Sequence, residues 1–477
     1  MSLTESYMDK LFSGMVFKFL YLALVIVSFN AYLYYLPIKG YLVVAVTLFG
    51  AINCLYRAWK YKRFIKTPYI LICGIYTISY VLTVIINIEY GFIESLQGLV
   101  WLVFQFVLLY AVDSEKPAAA VKKEYAAISI VFVVYTTLVC IISIAMLLFN
   151  FGEAYMLNDG TIVPRGFIWG RLWGVFSNPN LGAVSVCVSI VFCLFLLKEK
   201  SGVLRKTMAG FSLFVSGLYL AFSDSRTGLL ALLVSLFAWL YIMILAGRKK
   251  AIKKWRGRKI LSHFAAALIS LTIAAASVAS VAATKEVYNA IAASRQSGSS
   301  GSVQITRSSA EEGNDVTNRR KDLWISGIEL FETSPVVGVG YRNIKVAAAD
   351  RIPDTYIINN TFGTFDSFHN MWIDLLASQG VVGLLLFLVF TLGCAISSLR
   401  TFSRMIAKGS SDLLLFGTLV AGILPPLIGS LLQADSILYN TQNAVLFWIL
   451  LGYLMFYVRN EKTMKSMEIN TDTAARA

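Results

Sequence analysis

The sequence predicts an all-α polytopic membrane protein, and three observations carry that prediction. The chain of 477 residues is 57% hydrophobic and 14% charged, with a mean hydropathy of +0.68; a soluble globular protein carries about 25% charged residues. Apolar runs of roughly 20 residues, enough to cross hydrocarbon as helices, recur along the chain. Basic residues collect in alternate connections between those runs.

Twelve spans are expected, at 14–36, 40–58, 68–87, 92–112, 125–149, 180–197, 207–223, 227–246, 260–283, 380–399, 412–433 and 440–458. The opening "MSLTESYMDK" runs directly into the first of them and reads as a cytoplasmic tail rather than a cleaved signal peptide. The chain then divides into residues 1–150 (spans one to five), 151–283 (spans six to nine), 284–379 (one large external loop, expected to be catalytic) and 380–477 (spans ten to twelve and a tail).

Twelve crossings put both termini on one side. The short connections 2–3, 4–5, 6–7, 8–9 and 10–11, with Arg57 at the rim of the second span, hold 23 Lys+Arg, against 4 in the short connections opposite. Loops rich in Lys and Arg are cytoplasmic, so both termini are expected inside and 284–379 outside. The net charge of +15 is then topology and attraction to anionic lipid, and a nucleic-acid partner is excluded. All six cysteines lie in apolar runs and read as packing residues, with neither a disulfide framework nor a metal cluster.

The external loop has two halves. Residues 294–318 are Ser/Gly-rich and polar, a composition of mobile segments. From Arg319 onward, Leu323, Ile325, Ile328, Leu330 and Phe331 roughly follow a helical period, ended by Pro335, Gly338 and Gly340. His369 opens a second segment with Met371, Trp372, Leu375 and Leu376 on an apolar face leading to Gly380. Two amphipathic helices lying against the membrane surface are expected.

Arg165, Arg171, Arg226, Arg319 and Arg320 on the external side go against the topological bias and need a reason. Three short motifs hold the last four of them, and a fourth holds His369. "GRLWGVFSNPNLGA" carries Arg171 ahead of Asn178-Pro179-Asn180, turn chemistry that opens span six. "SDSRTGLLAL" puts Arg226 at the mouth of span eight. "RRKDLW…SPVVGVG" places Arg320 one helical turn from Trp324, with Arg319 about 100° away on the same helix. "HNMWIDLLASQGVVG" begins at His369, beside Asn370 and close to Asp366. Taken singly, each has an ordinary explanation. An arginine at a helix mouth often reaches for lipid headgroups, a Gly-x-Gly pair is more often a helix stop than a phosphate loop, and a lone histidine such as His263 is usually structural.

Taken in order, the motifs "R-x-x-G-x-F-x-N-P-N", "S-R", "R-x-x-x-W…P-x-x-G-x-G" and "H-N…G-x-x-G", matched by Arg171 to Asn180, Ser225-Arg226, Arg320 to Gly340 and His369 to Gly383, resemble the O-antigen ligase and polysaccharide polymerase superfamily. The resemblance covers roughly residues 165–400. It implies a glycosyltransferase of the bacterial cytoplasmic (inner) membrane, without cofactor or metal. Such an enzyme moves a glycan from an undecaprenyl diphosphate carrier to an acceptor sugar hydroxyl, with the acceptor glycan, the bilayer, a chain-length regulator and a flippase as partners. Arg171, Arg226, Arg319 and Arg320 would then hold the diphosphate, since guanidinium donors match phosphate oxygens bidentately. His369 and Arg320 would be catalytic, with Asn180, Asp366, Asn370 and Trp324 in support. His369 suits a general base for the hydroxyl; as a phosphate donor it would leave the base to Asp366.

The polar Ser/Gly-rich insertion before Arg319 resembles that of capsule and teichuronic-type polymerases, and this resemblance implies a polymerase of surface-polysaccharide repeat units (O-antigen, capsule or teichuronic type). The alternatives are a ligase that moves the finished glycan to lipid A core and, from another class, a transporter of the lipid-linked saccharide. The third expects ionisable residues near mid-membrane and repeated halves, whereas these spans read as almost free of charge.

Overall fold

A computed structural model describes residues 8, 11, 12, 14–156, 162–199, 202–247, 259–296, 304–306, 319–360 and 364–474. Helices occupy all twelve apolar runs: α1 (Met15–Ser28), α2 (Ile38–Trp59), α3 (Ile70–Ile86), α4 (Phe92–Phe104, continuing as a π-helical turn over Gln105–Tyr110), α5 (Ala118–Leu148), α6 (Pro179–Lys198), α7 (Val203–Ser223), α8 (Arg226–Gly247) and α9 (Lys259–Gln296), then α12 (Met371–Lys408), α13 (Leu413–Ser430) and α14 (Gln442–Ala474). Between α9 and α12 lie two shorter helices, α10 (Arg320–Thr333) and α11 (Ile344–Arg351). Among the described residues, nine helices are long and apolar enough to cross a membrane; α1 and α3 are apolar but shorter. The length of α7 suffices, but its first turns carry Arg205 and Lys206. The chain is a multi-pass membrane protein.

Helices that are apolar all round belong inside a bundle. α6 and α14 are 83% and 94% buried over their apolar windows, against 17% for α2 and α9, so α6 and α14 form the axis and α2 and α9 the rim. Asn178 starts α6: its side-chain oxygen accepts from the backbone N–H of Asn180 (2.8 Å) and Leu181 (3.3 Å), with Pro179 at the first helical position.

Three local features depart from the expected pattern. α1 ends at Ser28 because Asn30 Oδ1 accepts from the N–H of Tyr32 and Leu33, both at 3.0 Å, and turns the chain. α9 continues past residue 283 to Gln296: no Pro or Gly interrupts Thr284–Gln296, and Lys285 pairs with Asp224 at 3.0 Å. A three-stranded antiparallel sheet, β1 (Gly152–Met156), β2 (Ile162–Ile168) and β3 (Arg171–Gly174), stands in the connection between α5 and α6. Pro164 hides β2 in the sequence; it sits where β2 is paired with β1 alone.

Residues 319–360 and 364–379 form a packed cap. The apolar faces of α10 and of Met371–Gln379 pack partly against each other, while Ile325 and Ile328 of the expected face stay exposed. The two faces bury Leu323, Leu330, Val339, Ile344, Phe368 and Ala377 in one shared core, because each stripe finds a closer apolar partner in the other.

α12 is broken at Gly380 (φ 61°, ψ −168°), a conformation essentially confined to glycine. The break separates the cap helix from the span expected to begin at 380. The extended stretch Pro335–Gly340 runs across it. Val339 and Gly340 donate to the carbonyls of Ala377 (3.0 Å) and Ser378 (2.8 Å), while Val381 and Val382 donate to those of Pro335 (2.9 Å) and Val336 (3.3 Å). Carbonyls and N–H groups freed by the break are thereby satisfied.

The end of the bundle opposite these motifs contains buried charge. Lys18, Arg57 and Glu124 are all at most 5% exposed. Glu124 bonds Lys116 and accepts from the Tyr453 hydroxyl at 3.0 Å, and Lys18 donates to the same hydroxyl at 3.1 Å. The spans are less free of charge than the sequence suggested; Lys18 and Glu124 are compensated as a group with Lys116, while Arg57 donates to the carbonyls of Val107 and Ala111.

Candidate active site

β3 carries Arg171 onto the end of α7. Arg171 is 5% exposed; its Nε donates to the Ser223 carbonyl at 3.0 Å and Nη2 to Asn180 Oδ1 at 3.2 Å. Asn180, in the first turn of α6, also accepts from Ser225 Oγ at 2.9 Å, and Ser225 Oγ in turn caps α8 by accepting from the Gly228 N–H at 3.1 Å. The first and second motifs thus meet in one network, Arg171–Asn180–Ser225. Arg226, the first residue of α8, is exposed beside it.

The third and fourth motifs meet in the cap. Gly327, two turns after Arg320 on α10, lets the helix approach closely: a Cβ there would sit 2.4 Å from Ile373 Cγ2 and 3.0 Å from the Phe368 ring. This crossing brings Arg320 within electrostatic reach of His369. Burial pushes the imidazole down, and the Arg320 guanidinium adds to it, to a pKa of about 4.

His369 does not begin the helix, as expected, but precedes its cap. Asn370 is the N-cap of α12, its side chain accepting from Trp372 N–H (2.9 Å) and Ile373 N–H (3.4 Å). His369 is held in the left-handed region at φ 52°. On its other side Phe368 N–H donates to Asp374 Oδ1 at 2.7 Å. Two side-chain caps therefore clamp a strained, half-buried histidine, the kind of backbone that persists where its surroundings over-determine it.

The remaining candidates fall as follows. Arg319 is outside α10, at φ 63°, so its direction is not set by helical spacing from Arg320. Trp324 is one turn from Arg320 on α10 and packs into the cap core. Asp366 is 87% exposed at its side chain, 4.0 Å from Lys345 Nζ. Arg165, the external arginine outside the four motifs, pairs with Glu153 at 3.1 Å and lies over the rings of Tyr32, Tyr35 and Tyr155. His263, near the opposite end of the bundle, meets the Tyr241 hydroxyl at 2.8 Å.

The two clusters are bridged by helix ends. Asn443 Nδ2 donates to the Leu181 carbonyl (3.2 Å) and Gln442 Nε2 to Ser185 Oγ (2.6 Å), tying α14 to α6. Ser430, at the end of α13, accepts from Trp372 Nε1 at 3.2 Å, three residues beyond His369. Two further supports were not read from the sequence. Thr83 Oγ1 donates to the Val337 carbonyl at 2.8 Å and Asn87 Nδ2 to the Gly338 carbonyl at 3.0 Å. The signal available was a polar pair one turn apart near the end of an otherwise apolar run.

The molecule so described is a multi-pass helical membrane protein with two polar groups of motif residues, Arg171–Asn180–Ser225 and Arg320 with His369, outside its apolar spans. Residues 210–388 match the family described as O-Antigen ligase. That stretch contains Ser225, Arg226, Arg319, Arg320 and His369, and leaves Arg171 and Asn180 outside. Over 70 residues the chain is 37% identical to the exopolysaccharide production protein ExoQ of Rhizobium meliloti (strain 1021), a match covering 14% of this chain and 16% of that relative. The matched domain and the ordered motifs support membership of the O-antigen ligase and polysaccharide polymerase superfamily.

Proposed function

We propose that the chain is a glycosyltransferase that takes a glycan from an undecaprenyl diphosphate carrier and joins it to an acceptor sugar hydroxyl. The end bearing the motifs faces outward from the cytoplasmic membrane, and both termini lie inside. The observation that carries the reading is geometric: the close crossing at Gly327 packs α10 against the segment that bears His369, so that the Arg320 guanidinium acts on an imidazole held low, to about 4, by burial and by that charge. An imidazole that is neutral at physiological pH can accept a proton; an imidazolium cannot. A base this weak works far from its optimum. A diphosphate held by Arg320 offsets the guanidinium's charge and favours the protonated ring. Donor binding thus raises His369 toward the useful range at the moment the acceptor hydroxyl must lose its proton.

Arg171, Arg226, Arg319 and Arg320 serve the diphosphate. Hydrogen bonds to charged groups are worth about 1.5–3 kcal/mol each, so two that tighten as the diphosphate leaves lower the barrier by several kcal/mol. Asp366 is exposed and faces Lys345, whereas His369 lies beside Arg320, so the base role falls to His369. Polymerisation of surface-polysaccharide repeat units is the preferred reaction, in keeping with the exopolysaccharide relative; the family's description favours ligation to lipid A core as the second reading. A chain-length regulator and a flippase are the expected protein partners.

Purified full-length protein given undecaprenyl diphosphate-linked oligosaccharide from its host should extend the chains. Products that lengthen on the carrier support polymerisation; transfer only to an added lipid A core supports ligation. Absence of transfer to either acceptor would sink the proposal.

A further inference from the structure

β2 and β3 are joined by the two residues Trp169 and Gly170, since Ile168 pairs with Arg171. Their φ angles are 53° and 70°. Positive φ at both central positions is the requirement of a type I′ turn, which Asn-Gly or Asp-Gly meets at least cost. A bulky aromatic residue at positive φ is an outlier. The sequence therefore places tryptophan where local backbone preference argues against it.

Burial does not repay this. Trp169 is 39% exposed, while Phe167 and Leu172, the strand pair one step back from the turn, are buried. Its ring stands edge-on to that of Trp173, with centroids 5.4 Å apart and planes at 78°. A tryptophan serving only as an interfacial anchor has no need of a strained turn. Where a local rule is broken without a gain in packing, a functional site is the expected reason.

The turn's position indicates the function. Arg171, two residues on, donates to the Ser223 carbonyl and to Asn180, so the turn is docked on the ledge that carries Ser225 and Arg226. We infer that Trp169, braced by Trp173, is a stacking platform for a pyranose ring of the glycan substrates. A pyranose has a face of C–H groups and a rim of hydroxyls. A rigid indole covers the first and leaves the second free to reach polar groups on the ledge. The inference rests on the glycan-transfer reading; the ring belongs either to the lipid-linked donor or to the acceptor.

Trp169→Asn separates stacking from folding, because it supplies the turn's preferred residue. The full chain in nanodiscs is titrated with two probes, the host's free repeat-unit oligosaccharide and the same saccharide on undecaprenyl diphosphate, and binding is read by saturation-transfer NMR without turnover. Trp169→Asn should melt no lower than native and bind one probe about ten-fold more weakly, with Trp169→Phe restoring part of the loss. Loss for the free saccharide alone assigns the ring to the acceptor; loss confined to the carrier-linked probe assigns it to the donor. Equal binding by native and Trp169→Asn protein, binding of neither probe by native protein, or a variant that fails to insert would each overturn the inference. Native protein that binds saccharide but transfers none would instead count against the transfer reading alone.

Discussion

Gly380 lies against the backbone of Val336: a Cβ added at 380 would be 2.2 Å from the Val336 carbonyl oxygen. Gly338 answers it from the other side, where a Cβ would be 2.3 Å from the Ser378 carbonyl carbon. The third and fourth motifs are thus two faces of one joint, and the break in α12 is what lets the cap helix aim His369 at α10.

Gly380→Ala and Gly338→Ala should each loosen this joint. Forcing a side chain into these conformations costs about 1–3 kcal/mol, and the contacts here are with backbone, which cannot rotate away. Both variants should melt lower than native in a thermal-shift measurement and lose transfer activity. Gly217→Ala on α7, where an added Cβ meets nothing within 4 Å, is the control and should melt at least as high as native.

Asn180 is the link between two motifs, since its one side-chain oxygen serves both Arg171 and Ser225. Asn180→Ala removes a hydrogen bond to a buried guanidinium, worth about 1.5–3 kcal/mol. If Arg171 acts on the substrate, transfer should fall by roughly 10–100-fold with insertion unchanged. Native activity in a well-folded Asn180→Ala protein would remove this network from the site.

Arg320→Lys keeps the charge but loses the planar fork, and should retain little activity. Arg320→Gln removes the charge that holds His369 down. Its pKa should rise from about 4 but stop short of the ordinary 6.5, because burial is the larger cause. The chain has two histidines, so histidine-selective NMR resolves them, and His263→Ala assigns the signals. An unmoved His369 pKa in Arg320→Gln would mean that the two residues do not interact.

Much of the candidate site is legible because its residues stand in short segments. Arg171, Asn180 and Ser225 stand in compact motifs, and Arg320 and Trp324 follow from helical spacing. Other features arise only from long-range docking. Thr83 and Asn87 meet Val337 and Gly338 across some 250 positions, and no local pattern announces that. The shared cap core is not legible for the same reason: an apolar stripe shows that a partner exists, not which one. His369 was read as the start of a helix because Asn370 was not recognised as the cap. β2 was missed because Pro164 argues against a strand unless one knows which side is unpaired.

The pH dependence separates the two roles of His369. A base must be neutral, so kcat/KM should stay level from neutral pH downward and fall only as pH drops through about 4. A protonated donor would show the reverse, its rate already lost as pH rises through that value. Under saturating donor the acid limb of kcat should lie higher, since the bound diphosphate favours the imidazolium. For stability the sign is fixed by the lowered folded pKa. Between 6.5 and about 4 the unfolded chain takes up the proton first, so stability contributed by the neutral ring declines as pH falls through that window.

Transfer by purified His369→Ala protein, measured beside native and His263→Ala, tests the central claim most directly. His369 lies outside the helix it precedes, so its truncation should leave folding and insertion intact. Transfer should fall by at least about 100-fold, while His263→Ala, altered near the opposite end of the bundle, stays close to native. A folded, correctly inserted His369→Ala protein that transfers glycan at the native rate would contradict the account.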